Sequence, residues 1–204
     1  FWILDDLSPI QEMNKVNGLH LVTPKTAHRI FSGKTSKNST QGTNPLSGVI
    51  LDYYLPKVED SIELTLEILK DDKIIRSYTS TKEKKLKTWP GGPSPVDVLP
   101  KKEGFNRFHW DLRRNPISSV EGVFVYGNYS GIRAAPGDYK ARLSYKGEQK
   151  SVAISVLPNP NLKTTKDDFD KQQALLKQIE NAIKNVHESV IKMRRVQKQL
   201  SHYQ

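Results

Sequence analysis

The hydrophobic period of this 204-residue chain changes once, and that change fixes what it can fold into. In the runs between Gly48 and Val156 that read as strands, apolar residues recur at every second position. Val49, Leu51 and Tyr53 alternate with Ile50, Asp52 and Tyr54, and Ile62, Leu64, Leu66 and Ile68 alternate with Glu63, Thr65, Glu67 and Leu69. A period of two gives a strand with one face in a core and the other in water. Beyond Pro158 and Pro160 the spacing becomes alternately three and four, through Leu176, Ile179, Ile183, Val186, Val190, Met193 and Leu200, with only Gln197 interrupting. That is the seam of a long amphipathic helix. The expectation is a mainly β fold, an antiparallel β-sandwich followed by a long amphipathic C-terminal α-helix.

Turn chemistry places the strands. Asp71-Asp72-Lys73 returns the Ile62–Leu69 run into Ile74–Tyr78, and Lys146-Gly147 returns Tyr139–Tyr145 into Ser151–Val156. Phe105, Phe108, Trp110 and Leu112 mark a further strand. Trp89-Pro90-Gly91-Gly92-Pro93-Ser94-Pro95 and the stretch from Asn115 to Ala135 read as irregular excursions, because prolines lack a donor and glycines cost backbone entropy. Six or seven short strands result, enough for a sandwich of roughly 100 residues. Thr165 supplies a hydroxyl cap, and Asp167 and Asp168 match the helix dipole in the first turn. A helix from there to Leu200 is roughly 54 Å long at ~1.5 Å per residue. Three segments follow: 1–47, a strand and polar linker; 48–160, the sandwich; 161–204, the helix. One apolar stripe on so long a helix needs a partner, either a second helix or the same helix of another copy.

The opening residues include no Met and no secretory leader pattern, which reads as a fragment whose targeting signal was removed or lies elsewhere. The longest apolar runs, such as Val49-Ile50-Leu51, fall far short of a membrane span. The net charge of +10 raises nucleic acid as a partner. The excess is thinly spread, however: +2 over residues 1–47, +4 over 48–160 and +4 over 161–204. The one dense basic run, Lys82-Glu83-Lys84-Lys85-Leu86-Lys87, reads as a solvated loop. Neither nucleic acid nor a membrane span is expected.

Catalytic chemistry has little to stand on. Cysteine is absent, which removes thiolate nucleophiles, disulfides and Cys-based zinc sites. The histidines, His20, His28, His109, His187 and His202, show no metal-ligand spacing. Asp5-Asp6, Asp71-Asp72 and Asp167-Asp168 are the carboxylate pairs, and each has a local structural explanation in a strand end, a hairpin turn or a helix start. No catalytic residue, metal site or cofactor is expected. Aromatics in the excursions offer a binding alternative: Trp89, Tyr126 and Tyr129 are the candidate carbohydrate-facing rings.

Three segments carry a family resemblance. Phe1-Trp2-Ile3-Leu4-Asp5-Asp6-Leu7-Ser8-Pro9 resembles the closing strand of the β-propeller in bacterial sortilin-like BNR-repeat proteins, often labelled glycosyl hydrolases. Gly104-Phe105-Asn106-Arg107-Phe108-His109-Trp110-Asp111-Leu112-Arg113 and Arg133-Ala134-Ala135-Pro136-Gly137-Asp138-Tyr139 resemble the FlgD-type Ig-like domain that follows that propeller. The likeness covers nearly the whole chain, while the propeller and its S-x-D-x-G-x-T-W boxes are missing. It implies an Ig-like accessory domain of an exported protein from a Bacteroidetes-like bacterium. Its partners would be the parent's own propeller, a helix-mediated homo-oligomer or a glycan. The alternatives are a carbohydrate-binding module and a fragment of a glycosidase. Within the domain, Trp110 is expected at the centre of the core, Gly137 at a turn needing a permissive backbone, and Asp111 with Arg113 as an ion pair or turn anchor.

Overall fold

Two tight turns set the register of the larger sheet. Asp71 and Asp72 hold φ of 50° and 57°, and Lys146 and Gly147 hold 51° and 80°. Positive φ at both central residues is the geometry whose twist matches that of the flanking strands in a two-residue hairpin. The computed structural model describes residues 7–13, 16–30, 46–81 and 89–201. Within them lie α1 (Ser8–Met13), β1 (His20–Leu21), β2 (Ala27–His28), β3 (Val49–Leu55), β4 (Thr65–Lys70), β5 (Lys73–Thr79), β6 (Gly104–Trp110), β7 (Gly137–Tyr145), β8 (Glu148–Leu157) and α2 (Lys166–Leu200). The fold is β-rich with a long C-terminal helix. The opening strand as far as Asp6, most of the polar linker, the basic run from Lys82 and His202 lie outside the described residues. Ser8 and Pro9, expected at the end of that strand, begin α1 instead, a hydroxyl and a proline being suited to a helix start.

The strands form two sheets, ordered β1-β3-β6 and β2-β8-β7-β4-β5. Not all of the pairing is antiparallel as expected: β2 runs parallel to β8 through Ala27↔Val156 and His28↔Leu157. A two-residue strand at a sheet edge can take that direction because no hairpin joins it to its neighbour. The chain divides into two compact units that do not follow its order. One holds the described residues up to Thr81 with 97–112 and 135–164; the other holds 89–96, 113–134 and 165–201.

The first unit carries the core. Leu51, Leu55, Leu66, Ile68 and Leu143 are fully buried, as the period of two requires. A register shift between Ile68 and Leu69 leaves Ile75 of β5 as the extra residue of a bulge, and the adjacent Ile75 and Arg76 are both buried there. Rings from the two sheets meet: Trp110 of β6 lies edge-on to Tyr139 of β7 at 5.3 Å, and Phe108 of β6 lies edge-on to Tyr78 of β5 at 4.6 Å. Each residue of the Asn106–Trp110 run thereby has a task. The Asn106 side chain takes the Lys102 amide and donates to the Lys102 and Gly104 carbonyls. Arg107 grips Asp52 on the neighbouring strand with two hydrogen bonds, 2.7 and 3.0 Å. Removing Arg107 would strand a buried carboxylate, which costs more than the pair contributes.

The Tyr53 hydroxyl is buried and donates to the Pro100 carbonyl. Burial holds its pKa well above the ordinary tyrosine value and pushes Tyr78 up to about 12. A raised folded-state pKa makes a contribution that is complete below the unfolded value of ~10 and is lost as pH climbs through the folded one. Stability is therefore expected to fall between pH ~10 and ~12. Absorbance at 295 nm should show some of the 8 tyrosines ionising late, with unfolding. A single midpoint near 10 for all of them would contradict the burial of these two.

Candidate functional site

The second unit is built around α2. Thr165 caps the helix as expected: its hydroxyl takes the Asp168 amide, and the Asp168 carboxylate takes the Thr165 amide at 2.9 Å. These Thr165 donors hold the Asp168 carboxyl below the usual carboxylate range. Lys166–Asp170 and Lys171–Asp167 pairs reinforce the first turns.

Residues 113–134, which take in nearly all of the irregular excursion expected from Asn115 to Ala135, form a hairpin arm. Arg113 bridges Arg133, the Arg114 amide donates to the Ile132 carbonyl, and the Ile117 amide to the Tyr129 carbonyl. Arg113 anchors the arm by donating to the Gly131 carbonyl at 3.0 Å. Three α2 side chains bind the arm's carbonyls in turn: Gln173 to Arg133, His187 to Ser118, Arg194 to Glu121. On that face Phe169, Gln173, Leu176, Glu180, Ile183, His187 and Val190 are half-buried, at spacings of four and three.

Only half of the expected seam is covered. Leu176, Ile183 and Val190 are half-buried, whereas Ile179, Val186, Met193 and Leu200 are exposed. With Leu175 and Val196, also exposed, the latter make a second stripe from Leu175 to Leu200 at alternating spacings of four and three. Ala182 and Ser189 are its small members, and no charged residue falls on it.

The other feature is aromatic. The arm turns at Val120–Val123, with φ 71° at Gly122, and Phe124 and Tyr126 follow. The Trp89–Gly92 turn docks on this tip: the Trp89 indole donates to the Val123 carbonyl at 2.8 Å, and the Val125 amide donates to Gly91. Both glycines are required there. A Cβ on Gly91 would lie 2.6 Å from the Phe124 ring, and one on Gly92 would lie 2.8 Å from the Trp89 ring. The tip exposes Tyr126 at 99% and Phe124 at 60%, with ring centroids 5.7 Å apart and planes inclined by 70°.

Of the three rings singled out by sequence, Tyr126 stands in solvent, and Trp89 is half-buried with its donor engaged. Tyr129 is buried beside His187, 6.1 Å between ring centroids. Phe124 was not anticipated, since an aromatic in an aperiodic segment carries no sign of its direction. The described histidines stay apart: His20 meets Glu12, His109 meets the Ser47 carbonyl and His187 meets Ser118. Among the described residues no cluster of His, Asp and Glu suits a metal ion, and no helix is long and apolar enough to cross a membrane. Asp71-Asp72 forms the β4–β5 turn, and Asp167-Asp168 the helix start. Asp5-Asp6 lies outside the described residues.

Comparison with protein-family models, curated proteins and solved structures finds no match to this chain.

Proposed function

We propose that this chain is a non-catalytic accessory and interaction module of a larger exported bacterial β-propeller protein, an Ig-like sandwich bearing a helical docking element. The observation that carries the reading is the state of α2: a 35-residue helix with no fully buried side chain, one face held by the arm and an apolar stripe left open. A helix of that kind exists to be covered. The Ig-like part of the reading is supported by rings shared between two sheets and by Tyr139, whose hydroxyl donates to the Ala135 carbonyl four residues upstream. A tyrosine tied back in this way recurs at the corners of Ig-type sandwiches. Gly137, at φ 142°, opens β7 just before it. The parent's propeller, and an exported location, are what the resemblance of the Phe1–Pro9, Gly104–Arg113 and Arg133–Tyr139 segments implies.

The exposure of Tyr126 beside Phe124 favours a second reading, a carbohydrate-binding module. Sugar platforms stack their ligand on open ring faces, and here the Phe124 and Trp89 rings each have one side close to a glycine. A glycan array and polysaccharide pull-down of the chain, beside a Trp89→Ala, Tyr126→Ala variant, separates the readings. The accessory module is expected to retain no glycan and to release no sugar from polysaccharide. Retention that the double variant loses would replace it with the carbohydrate module, and turnover of a polysaccharide would replace it with a glycosidase fragment.

A further inference from the structure

The open stripe of α2 has a shape and a charge pattern that choose its occupant. We propose that it pairs with the same stripe of a second copy, the two helices running antiparallel. When two such stripes are laid head to tail about a centre between Val186 and Ser189, their layers follow from the sequence. Leu175 faces Leu200, Ile179 faces Val196, Ala182 faces Met193, and Val186 faces Ser189. Each small residue meets a larger one, so the layers fill. A parallel pair would instead set Ala182 on Ala182 and Ser189 on Ser189, leaving voids beside overfilled layers. The Ser189 hydroxyl already donates to the Asn185 carbonyl at 2.8 Å, so covering it leaves no donor unmet.

Charge makes the same choice. Residues 166–182 carry three basic and four acidic side chains, and residues 183–200 carry five basic and one acidic. In the antiparallel register Asp167, Asp168 and Asp170 lie past the partner's Leu200, and the overlapping halves set Lys177, Glu180 and Lys184 (net +1) beside Glu188, Lys192, Arg194, Arg195 and Lys198 (net +3), with Glu180 opposite Arg195. A parallel pair would stack the two basic ends. The helix dipoles favour the antiparallel arrangement as well. Because this pairing rests on α2 alone, it can fail while the accessory reading holds, and the glycan experiment leaves it untouched.

Sedimentation equilibrium of the full chain is expected to give a dimer at high micromolar concentration and a monomer on dilution. Met193→Glu puts a charge against Ala182 on an exposed position and should weaken the dimer at least tenfold, with an unchanged far-UV spectrum. The absence of cysteine makes orientation readable. A Leu175→Cys chain mixed with a differently tagged Leu200→Cys chain should oxidise mainly to the mixed disulfide. A monomer throughout, a Met193→Glu dimer as tight as the parent, or preferential Leu175→Cys self-disulfides would each overturn the proposal.

Discussion

Trp110→Ala is expected to cost ~3–5 kcal/mol, the range for truncating a large buried aromatic and leaving its cavity. Trp110 is fully buried, paired with Val49 across the β3–β6 ladder and edge-on to Tyr139. Its ring joins the two sheets, so the void would open where no neighbouring strand can move in without giving up its own ladder. The edge-on contact with Tyr139 contributes beyond area alone, about 0.5–1.5 kcal/mol. A small domain has ~5–15 kcal/mol in hand, so the loss takes much of the first unit's stability. Urea unfolding followed by far-UV circular dichroism should show the midpoint fall, with Trp110→Phe recovering part of it. A loss under ~1 kcal/mol would mean that the ring is not the joint between the sheets.

How much of this was legible depends on whether the cause was local. The strands from β3 to β8 were, because alternation such as Leu64, Leu66, Ile68 against Glu63, Thr65, Glu67 is the burial pattern itself, and Leu64, Leu66 and Ile68 are fully buried. The turns at Asp71-Asp72 and Lys146-Gly147 and the Thr165–Asp168 cap were legible for the same reason: they are settled within four residues. The parallel β2–β8 edge was not, since two residues carry no period and no turn links them. Alternating spacing located the helix yet could not tell which edge of its apolar face would be covered. Stripes begun at Leu175 and at Leu176 share Ile179, Val186, Met193 and Leu200, and the arm's carbonyls decided between them.

The hairpin arm is the instructive miss for the candidate site. Its bonds to α2 run from side chains to backbone carbonyls, and any residue supplies a carbonyl, so nothing in the sequence of 113–134 signals them. For the same reason Tyr126 and Tyr129, three residues apart in an aperiodic stretch, end in opposite environments: one exposed, the other buried where the arm pairs through Ile117. The Trp89-Pro90-Gly91-Gly92 turn was recognisable as irregular, but the need for its two glycines comes from Phe124 and from its own tryptophan folding back, contacts a linear reading cannot place.

Gly131→Ala should undo the arm with one methyl group. Gly131 is buried, and a Cβ there would stand 2.2 Å from the carbonyl oxygens of both Arg114 and Asn115. Both obstacles are backbone, so no side-chain rotation relieves the clash; the two limbs of the arm must separate. Separation breaks the Arg114-to-Ile132 bond and draws the Gly131 carbonyl away from Arg113. Forcing extra volume into a packed site costs ~1–3 kcal/mol, and a cost near 2 kcal/mol raises the opening of the arm by more than tenfold. Amide exchange is the direct reading. The Arg114 and Ile117 amides should exchange at least tenfold faster, while amides of β4 and β7, such as Leu66 and Leu143, keep their protection. Because Gln173, His187 and Arg194 would lose fixed acceptors on the arm, the half-buried face of α2 should also become more accessible to proteolysis. Unchanged exchange at Arg114 and Ile117 would mean that the limbs do not approach as closely as the buried glycine demands.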